Sequence, residues 1–347
     1  MKKFYSQRFI VSVALCCIYL IAWAQVPDGY YDGADGKSGA ALKTALYKII
    51  TKNLNPPEYG SGKTNSTWAA FEKMDRRPDG SVWDMYSDEH RKFTGNGTAP
   101  SGMNIEHSMA NSWWGKTRNN AYNDVLQLRP SDITANSKKQ NYIMSVVNSV
   151  TWTNGCIKIG KTTLPGKSIN AWEPADEYKG DFARIYMYMV TCYEDFGISG
   201  KWRSAGLDQL ENNAYPVFKD WTTTLLLKWN KEDPVSDKEI TLNNEGCKIQ
   251  GNRNPFIDYP ELAEYIWGDK KTEPYYPTAI SSGVKDSTIS IIVFDGKVRI
   301  HTDARYEIVR IYDVVGRLIK QTIIDAGDTE FSLPSGIYIV NGHKVAL

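Results

Sequence analysis

The pattern of apolar residues changes from helical spacing to short β-branched runs after a polar linker. This change predicts a chain in two structural parts. Before residue 269, apolar residues recur at helical spacing, whereas short β-branched runs follow residue 287. Residues 269–287 are rich in Lys, Pro, Ser and Gly, which is typical of a linker. The pattern predicts an α+β chain, with a helix-rich domain at 25–268 and a small all-β sandwich domain at 288–347.

The first 24 residues have the pattern of a secretory signal peptide. Basic residues near the N-terminus precede an apolar run at 9–21, and Ala22-Trp23-Ala24 forms an A-x-A cleavage site. The run is too short for a comfortable membrane span, so we expect export without stable membrane insertion after cleavage. A lipoprotein signal is disfavoured because Cys16 and Cys17 lie midway through the apolar run.

Composition is that of an ordinary folded protein. The formal net charge is +1, which argues against tight, purely electrostatic binding of nucleic acid but leaves room for a local basic groove. Three cysteines remain after the signal segment and allow one disulfide or none: Cys156, Cys192 and Cys247. No cysteine or histidine spacing supports a zinc site. We expect a monomer.

Helical periodicity identifies several elements of the first part. The pattern predicts helices at 39–52, 68–74, 181–196, within 207–229 and at 261–267. Residues 148–173 are polar and rich in Gly, which indicates loops and a hairpin. Trp113 and Trp114 are more suited to packing a core than to stacking on bases.

The stretch from Asn104 to Tyr142 carries the residues of greatest chemical interest. A strand is predicted from Asp124 to Arg129 and a helix from Ile133 to Asn141, with Ser131 or Asp132 as the N-cap. A further strand ends near Glu106 and His107. The result is a ββα unit in which Glu106, His107 and Asn136 converge.

These residue types suit phosphodiester hydrolysis. The oxygens of Glu106 and Asn136 are hard ligands suited to Mg²⁺, which keeps several waters and takes substrate phosphate oxygens. A neutral imidazole at His107 can accept a proton from an attacking water. Since neighbouring residues of a regular strand point to opposite faces, we expect an irregular backbone or a strand end at Glu106 and His107.

The motif resembles the endonuclease I family of secreted bacterial nucleases, which carry a ββα-metal site. The resemblance covers roughly residues 30 to 268. It rests on Glu106-His107, the following Trp-Trp-Gly, the run Asp124-x-x-x-Leu-x-Pro-Ser-Asp132, Asn136, Asn141-Tyr142 and the long run from Gln250 to Leu262.

By this resemblance, His107 is the general base, and Glu106 and Asn136 are ligands of Mg²⁺, with Mn²⁺ or Ca²⁺ as alternatives. Family members commonly carry a histidine where this chain has Leu126, and some have a phosphate-binding arginine in a longer loop. Arg118 is the candidate for that arginine here. Arg184 lies on an apolar helix, and we assign it a catalytic phosphate contact, with a structural ion pair as the equal alternative.

The sequence therefore predicts a secreted or surface endonuclease that depends on a metal and has little sequence preference. DNA is the expected substrate, with RNA as the second candidate, and the products carry 5′-phosphates. Two alternatives stand beside it. One is an exported binding or adhesion protein on a decayed nuclease scaffold, and the other is a phosphodiesterase acting on an ester outside nucleic acids.

The end of the chain resembles the C-terminal sorting domain of type IX secretion. The resemblance rests on residues 311–317 and 333–340. It implies export from a Gram-negative bacterium through the type IX machinery, followed by release or attachment at the cell surface. A sandwich that binds carbohydrate or protein is the alternative, and it is disfavoured because the domain is small and lacks a cluster of exposed aromatic residues.

Overall fold

The computed structural model describes residues 26–27, 29–276, 289–294, 296–302, 307–314, 318–324, 326–341 and 343–347. Its architecture is mixed α+β, as predicted. The signal segment and most of the linker lie outside the described residues. The described part of the predicted linker includes Tyr275, which is buried in the main core and pairs with Lys37 in an isolated β-bridge.

Ten α-helices occur in the first described part of the chain. They are α1 (Gly39–Thr51), α2 (Thr67–Met74), α3 (Asn120–Asn123), α4 (Ile133–Lys139), α5 (Lys179–Cys192), α6 (Glu194–Ile198), α7 (Asp220–Glu232), α8 (Asp237–Gln250), α9 (Pro255–Asp258) and α10 (Leu262–Ile266). Helix α5 is the central element, since every residue from Gly180 to Cys192 is buried. The predicted helix at 181–196 is thus divided between α5 and α6.

Helix α8 was missed by the sequence analysis because its buried face is largely polar. Lys238, Glu239 and Asn243 are all buried on it, so hydrophobic periodicity gives only a weak signal. A usable signal was present at its start, where Ser236 and Glu239 form a complete capping box. Capping chemistry would therefore have found this helix where periodicity did not.

Two sheets belong to the first part. Strands β1 (Met103–His107) and β2 (Leu128–Asp132) form an antiparallel pair. The second sheet has the order β3-β6-β5-β4, with β3 (Ile143–Met144), β4 (Ser149–Thr153), β5 (Lys158–Thr162) and β6 (Ile169–Glu173). Strand β3 runs parallel to β6, and the other neighbours are antiparallel. The hairpin expected within 148–173 is present as β4 and β5.

The predicted second strand of the ββα unit starts four residues too early. Asn119 caps the short helix α3 by accepting from the Tyr122 amide at 3.2 Å, and Asp124 accepts from the Leu126 amide at 2.9 Å. These local turns delay the strand to Leu128. Pro130 is tolerated because β2 pairs only with β1, which leaves its other edge free of ladder bonds.

The helix of the ββα unit begins as predicted. The Asp132 side chain accepts from the Ala135 amide at 2.9 Å, which satisfies one of the unpaired amides of the first turn. Trp113 and Trp114 are buried in the main core, at 0% and 2% exposure, as expected. Cys156, Cys192 and Cys247 are all free thiols.

The second described part is a β-sandwich with its own core. One sheet has the order β11-β8-β7 and the other β10-β9-β12-β13. The strands are β7 (Ser290–Phe294), β8 (Lys297–Thr302), β9 (Glu307–Asp313), β10 (Leu318–Ile324), β11 (Gly327–Ser332), β12 (Ile337–Val340) and β13 (His343–Ala346). Val298 and Ile300 of one sheet share a hydrophobic cluster with Val309 and Ile311 of the other. The β-branched runs at 289–294, 298–301, 306–312, 318–324 and 337–340 predict five of these strands, and β11 and β13 were not predicted.

A search of the described residues for an apolar helix long enough to cross a bilayer finds none.

Candidate active site

His107 is the last residue of β1, and its ring is fixed by a backbone carbonyl. The Nε2 atom lies 3.0 Å from the Tyr122 carbonyl oxygen, which can only accept, so Nε2 carries the proton. The other ring nitrogen, Nδ1, is then unprotonated and has a lone pair that can accept a hydrogen bond. Asn111 Nδ2 lies 3.4 Å from Nδ1, a long contact that an incoming water can replace. The proton on Nε2 leaves Nδ1 as the basic nitrogen of the ring, which is the nitrogen that can act as a general base.

Aromatic rings surround the imidazole. Tyr59 stacks on the His107 ring with centroids 5.6 Å apart, Tyr122 lies at 4.6 Å and Trp114 at 6.1 Å. His107 is 5% exposed, and this burial lowers its pKa to about 4 from an ordinary value of 6.5. The imidazole is therefore neutral throughout the range in which a secreted enzyme works.

A pH profile of cleavage tests this electrostatic environment. Between about pH 8 and about pH 5.5 we expect kcat/KM at saturating divalent ion to show no loss with a midpoint near 6.5, because His107 stays unprotonated there. A histidine of ordinary pKa would be roughly three-quarters protonated at pH 6. The profile should be repeated at two ion concentrations, since burial raises the pKa of Glu106 and its protonation would weaken ion binding. A midpoint near 6.5 at both concentrations would contradict the prediction.

Glu106 and His107 are neighbours at the end of β1. The β1–β2 pairing is regular from Met103 to His107, so no bulge is found, and the strand end, the other expected feature, is present because His107 is the last residue of β1. Glu106 accepts a hydrogen bond from Lys139 Nζ at 2.6 Å through Oε1. Both groups are buried, and burial raises the pKa of the carboxyl while the ammonium acts in the opposite direction.

Asn136 lies on α4 and belongs to the same side of the strand as Glu106. Its Nδ2 donates to Asn104 Oδ1 at 2.8 Å, and Asn104 stands two residues before Glu106 on β1. Within the described residues, no side-chain donor bonds to Glu106 Oε2 or to Asn136 Oδ1, and the backbone amide of His107 interacts with the Glu106 carboxylate. One carboxylate oxygen and one amide oxygen are therefore available, and this hard donor set fits Mg²⁺ completed by water and phosphate.

Clusters rich in charged or sulfur ligands do not occur in the part of the chain that the structure describes. No group of three or more His, Cys, Asp or Glu side chains there could hold a metal ion. This observation is compatible with a site in which one of two protein ligands is an amide.

Arg118 is exposed and lies beside Tyr122, one of the aromatic residues around His107. Its guanidinium sits 5.0 Å from the Tyr122 ring, and within the described ranges no carboxylate forms an ion pair with it. A cavity of about 420 Å³ opens here and is lined by Glu58, Tyr59, Arg118, Asn119, Asn120 and Asn123. An unpaired arginine above an aromatic ring is suited to a phosphate group.

Arg184, in contrast, cannot reach a substrate, and its catalytic assignment is withdrawn. The side chain is 0% exposed and forms a bidentate pair with Glu239, at 2.6 Å from Nε and 2.8 Å from Nη2. Its Nη1 donates to Asp233 O and Asn230 Oδ1 at 2.8 and 3.1 Å. The buried ion pair, the other interpretation of the sequence, is the one found. A helix that is buried on every side leaves an arginine no route to solvent.

Leu126, where the resemblance led us to expect a histidine, belongs to the main core. It is 1% exposed and packs so closely on α8 that a Cβ added at Gly246 would lie 2.5 Å from its Cδ2. Leu126 packs the turn before β2 against α8. Among the described residues of the ββα unit, His107 is the one that supplies an imidazole to the site.

Several residues of the site escaped the sequence analysis. Lys139 was recoverable, since it follows Asn136 by three positions and therefore shares its helix face. Asn104 was recoverable in the same way, two positions before Glu106 on a strand. Tyr59 and the Tyr122 carbonyl carry no such signal, because their position depends on how distant loops pack around His107.

A histidine that follows a glutamate at the end of a strand, with an asparagine on the helix of the same ββα unit, is a set of residues suited to phosphodiester hydrolysis. The family model described as Endonuclease I matches residues 38–261. The chain belongs to the endonuclease I family, whose nucleases generally depend on divalent metal ions. It is a nuclease that hydrolyses phosphodiester bonds.

Two relatives extend this comparison. An "Extracellular ribonuclease" of Bacillus subtilis (strain 168) is 35% identical over 248 residues, covering 69% of this chain and 78% of the relative. A protein of the same name from Bacillus amyloliquefaciens is 36% identical over 253 residues, with the same shares covered. Their extracellular location fits the secretory signal predicted at residues 1–24.

Proposed function

We propose that this protein is a metal-dependent endonuclease with little sequence preference that cleaves by activating water at His107. The observation that carries the proposal is the fixed tautomer of His107. Because Tyr122 O accepts from Nε2, Nδ1 is unprotonated and can accept a proton from a water that replaces its long contact with Asn111. The water oxygen attacks phosphorus as its proton passes to Nδ1, the bond to the 3′ oxygen breaks, and the departing 3′ oxygen takes a proton from solvent, which leaves a 5′-phosphate and a 3′-hydroxyl.

Glu106 and Asn136 would hold the divalent ion. Mg²⁺ is the ion we propose, and Mn²⁺ or Ca²⁺ would meet the same oxygen ligands. When bound, the ion supplies stabilisation of negative charge on the phosphate and on the leaving oxygen. Arg118, exposed at the rim of the neighbouring cavity, would contact a phosphate of the substrate backbone.

The proposed substrates are DNA and RNA. Attack by water does not require a 2′-hydroxyl, so the same reaction can cleave DNA and RNA. The relatives named extracellular ribonuclease support RNA as a substrate. The contacts proposed here, through the ion and Arg118, are made to phosphate groups, which carry no sequence information. Low sequence preference follows.

We further propose that the chain is secreted and that its C-terminal β-sandwich is a sorting domain. The extracellular relatives support secretion. The sandwich has a hydrophobic core of its own, with Val298, Ile311 and Val340 fully buried, which suits a separate unit that is recognised by an export machinery. Its assignment to type IX secretion in a Gram-negative bacterium rests on the sequence resemblance.

Product analysis tests the catalytic proposal. Residues 25–347 should nick supercoiled plasmid and cleave a long single-stranded RNA in the presence of Mg²⁺, and EDTA should abolish both reactions because the ion's charge stabilisation is lost. RNA fragments should carry 5′-phosphate and 3′-hydroxyl ends. Cyclic 2′,3′-phosphate ends would show attack by the 2′-hydroxyl and would overturn the water mechanism.

Glu106→Gln provides the matched variant for the same assay. It preserves the shape of the side chain and removes the charge that attracts the ion, so we expect cleavage to fall to near the level seen with EDTA. Cleavage of neither substrate with any of Mg²⁺, Mn²⁺ or Ca²⁺ would instead favour a decayed scaffold with a binding role.

A further inference from the structure

Two hydrogen-bonded contacts connect β1 to α4 at the proposed metal site. Asn104 and Glu106 are two residues apart on the strand, and Asn136 and Lys139 are three residues apart on the helix. Each strand residue meets one helix residue, Asn104 with Asn136 and Glu106 with Lys139. Each contact therefore pairs one proposed metal ligand with one residue that has no assigned role.

The first contact determines which end of the Asn136 amide remains available. An amide offers two donors at nitrogen and an acceptor at oxygen. Asn104 Oδ1 lies 2.8 Å from Asn136 Nδ2, and this bond would be lost if the amide were rotated by half a turn. By accepting from the Asn136 nitrogen, Asn104 keeps the Asn136 amide in one orientation. In that orientation Asn136 Oδ1, the amide atom able to bind a cation, has no hydrogen bond in the described structure.

The second contact, from Lys139 to Glu106, fixes the orientation of the Glu106 carboxylate. Lys139 is 0% exposed, donates to Glu106 Oε1 at 2.6 Å and also to the His107 carbonyl at 3.3 Å. Its Nζ lies 5.1 Å from the centre of the Trp172 ring, which fixes the ammonium from the other side. Lys139 leaves Glu106 Oε2 without a side-chain donor, and the same lysine side chain holds the strand backbone at His107.

We propose that Asn104 and Lys139 are positioning residues that hold Asn136 and Glu106 in the orientation required for the divalent ion. This inference rests on the proposed function, because it presupposes that these two residues bind the ion. Partners of metal ligands fix ligand orientation, and their loss typically weakens metal affinity about 10-fold to 100-fold. Neither residue touches the reacting phosphate in this assignment.

Direct measurement of metal affinity tests the proposal. Mn²⁺ binding to residues 25–347 should be followed by electron paramagnetic resonance and by calorimetry in the wild type and in Asn104→Leu and Lys139→Met. We expect the dissociation constant of each variant to rise about 10-fold to 100-fold. Cleavage assays should show a higher ion concentration for half-maximal rate, with most of kcat recovered at saturation, a separation that a general loss of structure would not produce.

Conservative variants and a neighbour serve as controls. Asn104→Asp keeps the acceptor for Asn136 Nδ2 and should bind Mn²⁺ at least as tightly as the wild type. Lys139→Arg keeps a cation and should lose less affinity than Lys139→Met. Lys138→Met changes the exposed lysine next to Lys139 and should leave the dissociation constant unchanged. Lys139→Met leaves the buried Glu106 carboxylate without its ion pair and can fail to fold. Asn104→Leu removes no charge, so it still tests the positioning role in that case.

The outcomes separate this inference from the proposed function. Wild-type affinity in Asn104→Leu, or tighter binding in a folded Lys139→Met, would overturn the positioning role while leaving metal-dependent cleavage intact. Absence of saturable Mn²⁺ binding in the wild type, together with cleavage that resists EDTA, would overturn both proposals.

Discussion

Replacement of His107 by alanine is expected to lower the cleavage rate at saturating ion by a factor of about 10² to 10⁴, the usual contribution of a general base. The imidazole is neutral because burial lowers its pKa to about 4, and its Nε2 proton is committed to the Tyr122 carbonyl. Alanine removes the proton acceptor and leaves Glu106, Asn136 and the ion in place. Single-turnover cleavage of plasmid and of RNA measures the loss at the chemical step.

An exposed histidine provides the control for this variant. His90 is about 62% exposed at its side chain and lies 3.9 Å from Asp79, so His90→Ala should cleave at the wild-type rate. His107→Ala should also retain Mn²⁺ binding, since it removes neither proposed ligand. If His107→Ala cleaves as fast as His90→Ala, another group activates the water and the mechanism proposed here is wrong.

Replacement of Arg184 by methionine is expected to destabilise the fold by about 3 to 5 kcal/mol, the usual cost of breaking a buried ion pair. Arg184 is fully buried, and its loss leaves the Glu239 carboxylate, which is 2% exposed, without its bidentate partner. It also removes the donor to the Asp233 carbonyl that joins α5 to the end of α7. Urea unfolding followed by tryptophan fluorescence measures the change.

Two further variants make the Arg184 result specific. Arg203→Met changes an exposed arginine and should alter the free energy of unfolding only slightly. The double variant Arg184→Met with Glu239→Met removes both charges and should be more stable than Arg184→Met alone, because no buried charge is left unpaired. Unchanged stability of Arg184→Met combined with lost cleavage would instead indicate that Arg184 acts on the substrate.

The sequence by itself determined the elements whose signals are local. Hydrophobic periodicity placed α1 and α2 within one or two residues, and Asp132 marked the start of α4 through a cap that depends on three consecutive positions. The β-branched runs after the linker predicted five of the strands of the sandwich. Glu106, His107 and Asn136 within one predicted ββα unit indicated the class of chemistry together with the resemblance to the endonuclease I family.

Only the tertiary structure decided what surrounds those residues. The Tyr122 carbonyl, the Tyr59 ring and the partners of Arg184 meet their targets through packing between segments far apart in sequence, and periodicity carries no information on such contacts. The same holds for the pKa of His107, because its largest cause is burial, which depends on the whole core. The residue types determine what chemistry is available, and long-range packing determines which atoms are free to perform it.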